Sequence, residues 1–229
     1  MRLKQVTITG ADDSCKVTDL ITLQNKYPFV EWAILFSNSK QGTERYPSLP
    51  WLVQLENRGL NLSAHLCGSL VRKVVAGQWI FASNWPNLCP FFSRIQLNFS
   101  PYLRFLKYDE FINGLKSVSN HNWQIIFQMH TTKSKLIDKC KEAALNVAVL
   151  YDLSGGKGVL PEKWAMPGEI YTGYAGGLSP ENLKEQLQCI NASVGDETIW
   201  IDVESHVRTE NKFDLNKVES FLQIASQYV

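Results

Sequence analysis

The chain has 229 residues, of which 45% are hydrophobic and 20% are charged, so it can bury one sizeable core and has the usual length of an α/β barrel. Its formal net charge of +1 gives no large field of one sign, which argues against nucleic acid or an anionic membrane surface as a partner. A small molecule bound at one site fits this composition better.

The cysteines and the amino terminus indicate a cytoplasmic protein. The five cysteines are scattered, with no Cys-x-x-Cys pair and no Cys/His spacing typical of zinc, so we expect reduced thiols and no metal. The first residues lead directly into a strand-like run and lack the apolar stretch and cleavage site of a secretion signal. No apolar run approaches the length of a membrane span, so we expect no membrane partner.

Short runs rich in β-branched and aromatic residues alternate with longer helical patterns, which is typical of βαβ units and a parallel sheet. Eight strands are predicted, the number that closes an α/β barrel, at residues 5–10, 32–37, 60–65, 95–99, 123–130, 146–151, 170–174 and 199–204. Helices are predicted at residues 17–25, 49–57, 69–76, 108–117, 134–144, 179–190 and 214–227. The sequence therefore predicts a single α/β domain over residues 1–229, a (β/α)8 or TIM barrel.

Three connections are long. Residues 152–168, between the sixth and seventh predicted strands, are so rich in glycine and proline that little room is left for a helix, and we interpret them as a functional loop. Residues 38–48 and 77–93 carry Gly, Pro, Asn and aromatic residues. They are either lids over a site or insertions.

The first candidate site follows the sixth predicted strand, at residues 151–158, YDLSGGKG. Parallel barrels place their sites at the carboxyl ends of the strands, and glycine amides in such a loop can closely approach an anion. A tight turn capped by Asp152 explains the same residues about as well. The run is not a Walker loop, because the spacing and the Ser/Thr after Lys157 are absent.

Two further candidates follow the seventh and eighth strands, where barrels commonly hold phosphate. Residues 174–182, YAGGLSPEN, combine a Gly-Gly turn with the start of a helix, whose free amides and dipole favour an anion. An ordinary strand-to-helix turn explains the same residues equally well. Residues 200–208, WIDVESHVR, bring two acids, a serine, His206 and Arg208 close together at the end of a strand. The two cationic side chains either add positive charge to a site or lie in solvent.

The fourth candidate is the end of the first strand, where Thr9 points inward and Asp12 and Asp13 follow. Capping of the first helix is the preferred interpretation of the two aspartates.

The order of these motifs resembles the phosphoribosylanthranilate isomerase family, a barrel of tryptophan biosynthesis. The resemblance extends along the whole chain but is strong over roughly the last third, where it is carried by residues 149–158, 175–182 and 201–207. It implies an Amadori rearrangement, in which an N-linked ribose phosphate opens and becomes a ketose without cofactor or metal. Asp152 falls on the general acid that protonates the ring oxygen, and a partly buried carboxyl can carry a proton near neutrality.

The same resemblance implies the binding residues. A phosphorylated small molecule is the expected ligand, and a monomer or a homodimer is the expected assembly. The substrate-binding candidates are Arg45, Asn98, Gly155 and Gly156, and the phosphate-binding candidates are Gly176, Gly177, Ser205 and His206.

The chain also departs from the family pattern. The family's general base is a cysteine in the first strand, and Thr9 stands there, whose hydroxyl does not titrate near neutrality. Asn98 replaces a histidine, His206 replaces a glycine whose amide binds phosphate, and Arg208 replaces a glutamate.

Three functions remain open on this sequence. The first is an isomerase with a substitute base, for which Asp12, three residues after Thr9, is the candidate. The second is another sugar-phosphate reaction, such as ketose epimerisation, that uses His65 in the run 63–67, SAHLC. The third is a binding or regulatory barrel that retained the phosphate site and lost the chemistry.

Overall fold

The computed structural model of the protein describes residues 1–78, 91–98, 107–118, 123–131 and 134–229. Most of the predicted loop 77–93 and residue Phe99 of the predicted fourth strand therefore lie outside the described residues.

Eight parallel strands pair in chain order and close into one barrel, in which β8 returns to pair with β1. The predicted (β/α)8 fold is thereby confirmed. The strands are β1 Arg2–Thr9, β2 Val30–Phe36, β3 Leu62–Leu66, β4 Phe92–Leu97, β5 Gln124–Met129, β6 Val147–Tyr151, β7 Thr172–Tyr174 and β8 Thr198–Val203. A short antiparallel pair, β9 Arg208–Thr209 and β10 Lys212–Phe213, follows the barrel.

The helices of the described residues are α1 Val17–Lys26, α2 Leu49–Val53, α3 Ser69–Val75, α4 Tyr108–Val118, α5 Lys135–Glu142, α6 Leu183–Val194 and α7 Leu215–Ala225. Residues 152–171, all of them described, contain no helix between β6 and β7, in agreement with the predicted loop. Within the described chain, no helix has the length and apolar character needed to span a membrane.

Two helix starts show how local side chains set the boundaries. Asp214, at the start of the last predicted helix, caps α7, because its carboxylate accepts hydrogen bonds from the amides of Asn216 and Lys217. The helix predicted from residue 179 instead begins at Leu183. Ser179 and Asn182 exchange side-chain to backbone hydrogen bonds that close a separate turn before it.

Side chains alternate between two packing layers, as a barrel requires. On β8, Ile199, Ile201 and Val203 belong to the layer between strands and helices, whereas Trp200 and Asp202 lie on the opposite face. The apolar part of the barrel interior comes from β5 to β8 and the residues that follow them, and consists of Ile126, Ala148, Leu150, Ala175 and Trp200.

The interior on the side of β1 to β4 is polar. Arg94 forms a buried ion pair with Glu31, at 3.0 Å, and Glu31 also accepts a hydrogen bond from the Thr7 hydroxyl at 2.9 Å. The Arg94 guanidinium lies 4.3 Å from the ring centroid of Trp200 and donates to the Gln124 side chain. The polar and apolar halves of the interior therefore meet where Arg94 stacks on Trp200.

Strands β7 and β8 pack closely where Gly173 contacts the ring of Trp200. A Cβ atom at Gly173 would lie 2.1 Å from Cε2 of Trp200, so we expect Gly173→Ala to destabilise the protein by about 3 kcal/mol through overpacking. Urea unfolding measures this cost. In a Trp200→Leu background the same substitution should cost much less, and additive costs in the double variant would contradict the steric explanation.

Candidate active site

A cavity of about 560 Å³ opens at the carboxyl ends of the strands. This volume lies within the range of small-molecule sites, and barrel enzymes use this face. Its floor is formed by inward-facing residues of β1, β3, β4 and β8, and its rim by the segments that follow β6, β7 and β8. The predicted site residues on its lining are Thr9, Asn98, Asp152, Gly155, Gly156, Gly176, Gly177, Ser205 and His206.

Asp152 follows β6 and is buried in the wall of the cavity. Its Oδ1 accepts hydrogen bonds from the amide and hydroxyl of Ser154, at 2.9 and 2.6 Å. Its Oδ2 accepts from the Gly156 amide and the Gln128 side chain, both at 2.7 Å. Asp152 therefore organises the tight turn, as the alternative interpretation of this motif expected, while its carboxyl group still borders the cavity.

The β6–β7 loop packs on the glycine turn after β7. Gly176 and Gly177 adopt φ angles of 109° and 68°, which side chains rarely tolerate. A Cβ at Gly177 would lie 2.4 Å from the Leu160 amide nitrogen, and one at Gly176 would lie 3.0 Å from the Val159 carbonyl oxygen. Both glycines are therefore required by backbone conformation and by the approach of the loop.

The segment after β8 completes the rim. Ser205 and His206 begin a short 3-10 helix, and His206 Nε2 lies 3.0 Å from the Gly158 carbonyl oxygen. Arg45 donates from Nη1 to Glu204, at 2.8 Å, and to the Ser205 hydroxyl, at 3.2 Å. Arg45 does not itself line the cavity, and its guanidinium lies beside the end of β8.

The floor contains a buried carboxyl group. The Thr9 hydroxyl donates a hydrogen bond of 2.8 Å to Oδ1 of Asp202, and Oδ2 of Asp202 lies 4.0 Å from Nε2 of His65. Among the described residues, neither of these last two atoms has a hydrogen-bond partner, nor does Oε1 of Gln96. Unpaired buried polar atoms are costly, and all three residues belong to the cavity lining, so the floor favours a ligand or water that pairs with them.

Burial is the main influence on the pKa values of Asp202 and His65 in the floor. Desolvation raises the pKa of Asp202 well above its usual value, against the hydrogen bond from Thr9, which lowers it. Burial, with the positive charge of Arg94, lowers the pKa of His65 to about 3, so this imidazole is neutral at physiological pH. The pair is a neutral histidine beside a carboxyl that resists ionisation.

The wall beside β3 and β4 is neutral and polar. The Asn98 side chain accepts from Gln96 at 2.8 Å and donates to the Cys67 sulfur at 3.3 Å. Burial raises the pKa of Cys67, and Tyr46, from the loop 38–48, is hydrogen-bonded to its thiol. Tyr46 also lines the cavity, so this loop contributes to the wall.

Asp12 lies outside the lining of the cavity. Its Oδ2 forms a buried ion pair of 2.6 Å with Arg208 and accepts from the Arg45 amide at 2.7 Å. The expected capping of the first helix is wrong, because α1 has Lys16 as its N-cap and no side-chain capping bond. Arg208, the partner of Asp12 in this ion pair, is likewise buried and does not lie in solvent.

Asp202 and Gln128 border the cavity but were not singled out as site residues from the sequence. The sequence analysis included Asp202 only as one of several polar residues in the motif 200–208. Its inward position on β8 would have identified it, as the inward position on β1 identified Thr9. Gln128 ends the inward series of β5, and the rule that strand ends carry the site would have found it. In the described chain, no cluster of three or more His, Cys, Asp or Glu side chains is arranged to hold a metal ion.

Fold and site together define a (β/α)8 barrel with a polar small-molecule cavity at the carboxyl ends of its strands. The family model of N-(5'-phosphoribosyl)anthranilate (PRA) isomerase matches residues 108–224, just over half of the chain. The chain belongs to the phosphoribosylanthranilate isomerase family, which confirms the resemblance seen in its motifs.

Solved structures of such isomerases share the fold. The enzyme from Pyrococcus furiosus is 17% identical, with a TM-score of 0.57 over 97% of this chain and 98% of that one. Monomers of the dimeric enzyme from Thermotoga maritima are 15% identical, with a TM-score of 0.55 over 98% and 99% of the chains. A complex of the isomerase with reduced 1-(o-carboxyphenylamino)-1-deoxyribulose 5-phosphate is 14% identical, with a TM-score of 0.55 over 98% and 100%. No curated protein matches the sequence.

The ion pair of Asp12 with Arg208 predicts a pH-dependent stability. Burial alone would raise the pKa of Asp12, but hydrogen bonds from Ser14, Arg208 and Arg45 outweigh it and hold the pKa below its usual value. The folded-state pKa is depressed, so the stabilisation is present above the unfolded value and is lost as the pH falls through the folded value.

We therefore expect Asp12→Asn to lower the free energy of unfolding by about 3 kcal/mol at pH 7, because it leaves the Arg208 charge buried without its partner. The difference from the parent should shrink as the pH falls below about 4. Urea unfolding across this range measures it. Asp13→Asn, on an exposed neighbour, is the control, and an equal effect of the two substitutions would contradict a role of the buried pair.

Proposed function

We propose that the protein is an aldose–ketose isomerase that catalyses an Amadori rearrangement of a phosphoribosyl amine. The observation that carries the proposal is that one cavity is bordered by a carboxyl group after β6 and by a glycine turn and a serine after β7 and β8. Such an arrangement suits a ribose ring held by its phosphate at one end and protonated on its ring oxygen at the other. Membership of the isomerase family supports the same reaction.

Asp152 is the proposed general acid. In its protonated form it would donate to the ring oxygen, so that the bond from that oxygen to C1 breaks and an iminium ion forms between C1 and nitrogen. The four hydrogen bonds that Asp152 accepts describe its ionised form, in which it is left after the transfer. The Gln128 amide can turn over so that its oxygen accepts from the protonated carboxyl.

The phosphate is proposed to bind between the turn after β7 and the segment after β8. Gly176 and Gly177 border the cavity with backbone alone, which lets an anion approach their amides. Ser205 accepts from Arg45, so its own hydroxyl proton is available to a phosphate oxygen. Lys157, on the exposed loop over this end of the cavity, adds positive charge.

Arg45 and Asn98 receive different proposed roles. The Arg45 guanidinium lies beside Ser205, so it is proposed to support the phosphate end of the substrate. Asn98 lies in the neutral wall with Cys67 and is proposed to contact the group attached to the sugar nitrogen. The ligand in one related structure, an N-aryl aminodeoxyribulose 5-phosphate, contains both a phosphate and such a group.

The reaction can be followed directly. The purified protein should convert N-(5'-phosphoribosyl)anthranilate, with loss of the substrate's fluorescence, and Asp152→Asn should lower kcat by about 100-fold or more. Asp138→Asn, on α5, is the matched control. Binding of the reduced aminodeoxyribulose phosphate without any turnover would instead favour a non-catalytic phosphate-binding barrel.

The phosphate site can be tested by affinity. Ser205→Ala removes one hydrogen bond to a charged group, so we expect the Kd of the reduced aminodeoxyribulose 5-phosphate to rise about tenfold. The Kd of the same compound without its phosphate should not change. Isothermal titration of both ligands separates the outcomes, and equal weakening of both would place Ser205 elsewhere in the site.

A further inference from the structure

The proposed reaction needs a group that removes a proton from carbon. Ring opening leaves an iminium ion, and the rearrangement proceeds only when the proton on C2 of the sugar is taken away. The Thr9 hydroxyl cannot take this proton, because it does not titrate near neutrality. The hydroxyl is also already engaged as a donor to Asp202.

The carboxyl groups at this end of the barrel differ in how fully they are bonded. Asp152 accepts four hydrogen bonds, Asp12 is paired with Arg208, and Glu204 is paired with Arg45. Asp202 borders the cavity with an Oδ2 atom that has no hydrogen-bond donor among the described residues. Asp202 is therefore a buried carboxyl on the cavity lining with one oxygen left free to accept a proton.

We infer that Asp202 is the base that removes the C2 proton, with Thr9 as its positioning residue and the neutral His65 as its neighbour. The inference rests on the proposed function. The Thr9 hydrogen bond of 2.8 Å holds Oδ1, and Oδ2 lies 4.0 Å from Nε2 of His65, which also lines the cavity.

The proton transfers balance. Asp152 gives a proton to the ring oxygen, and ionised Asp202 takes the proton from C2. The electron pair of the C2–H bond forms the C1–C2 double bond, and the π pair of the iminium returns to nitrogen, giving a neutral enolamine. Asp202 then returns its proton to C1, the C2 hydroxyl releases its proton to solvent as the ketone forms, and solvent reprotonates Asp152.

The surroundings of Asp202 make it a stronger base than an exposed carboxylate. Burial raises its pKa first, and the negative charges of Glu204, Glu31 and Asp152 add to the effect. A carboxylate whose pKa is raised is a stronger proton acceptor in its ionised form, which favours removal of a proton from carbon. Thr9 on β1 and His65 on β3 lie beside Asp202. The charges of Glu31 on β2, Asp152 after β6 and Glu204 after β8 act on it, and Arg94 on β4 acts on the neighbouring His65.

The first experiment compares Asp202→Asn, Asp12→Asn and Asp196→Asn, the last on an exposed turn, in the turnover of N-(5'-phosphoribosyl)anthranilate. We expect Asp202→Asn to lower kcat by about 100-fold or more. Binding of the reduced aminodeoxyribulose phosphate should stay within a few-fold. The asparagine keeps the size of the side chain and still accepts from Thr9, so thermal unfolding should show a folded protein.

A second measurement separates the base from the acid. Deuterium at C2 of the ribose slows only the step in which the C2–H bond breaks. The residual turnover of Asp202→Asn should therefore show a larger deuterium effect than the parent. Asp152→Asn should show a smaller one, because ring opening then limits the rate.

Thr9 is tested by a pH profile. Asp202 must be ionised to act, so kcat/KM should rise with pH through its titration. Thr9→Val removes the hydrogen bond that favours the ionised form, so this rise should move to higher pH, while Thr9→Ser should restore the parent profile. A purely structural role of Thr9 would lower activity without moving the profile.

The outcomes distinguish the inference from the function on which it rests. A parent protein that turns over no phosphoribosyl amine overturns both. An active parent whose Asp202→Asn variant keeps its kcat overturns the base alone, as does loss of kcat in Asp12→Asn with an active Asp202→Asn. An unmoved pH profile in Thr9→Val overturns the positioning role.

Discussion

The pairing of β1 with β8 closes the barrel, and most of the site depends on this closure. It brings Thr9 to Asp202, 193 residues further along the chain, at a hydrogen-bond distance. It also brings Asp12 to Arg208, 196 residues away, and so ties the segment after β1 to the hairpin that follows β8. An open sheet would leave the carboxyl groups of these segments in solvent, where neither the ion pair nor the raised pKa would exist.

Polar contacts deeper in the barrel interior also influence the residues of the site. Thr7, two positions before Thr9, binds Glu31, and Glu31 is paired with Arg94. The charges of that pair reach the floor with opposite effects, because Arg94 helps to lower the pKa of His65 while Glu31 helps to raise that of Asp202. A buried ion pair contributes little net stability, so its electrostatic effect on the floor is the stronger reason for its presence.

Sequence periodicity predicted the fold well because each strand's pattern is local. The eight strands, the helix-free loop after β6 and the Asp214 cap all depend on neighbouring residues. The role of Asp12 was not predictable in the same way. An aspartate shortly before a helix is compatible with either a helix cap or an ion pair, and its partner Arg208 is distant in the sequence. The start of α6 at Leu183 depends on a side-chain exchange that propensity does not register.

The replacement of the family's cysteine by Thr9 looks like a loss when the first strand is considered alone. In the closed barrel the same position supplies a hydrogen bond to a buried carboxyl that a thiol, a weak donor, would supply poorly. A hydroxyl at residue 9 and a carboxyl at residue 202 therefore form one unit, whose acidity is set by burial and by the charges around it. The proton transfer that we infer for this barrel therefore depends on several strands of the floor together, and no single strand provides it.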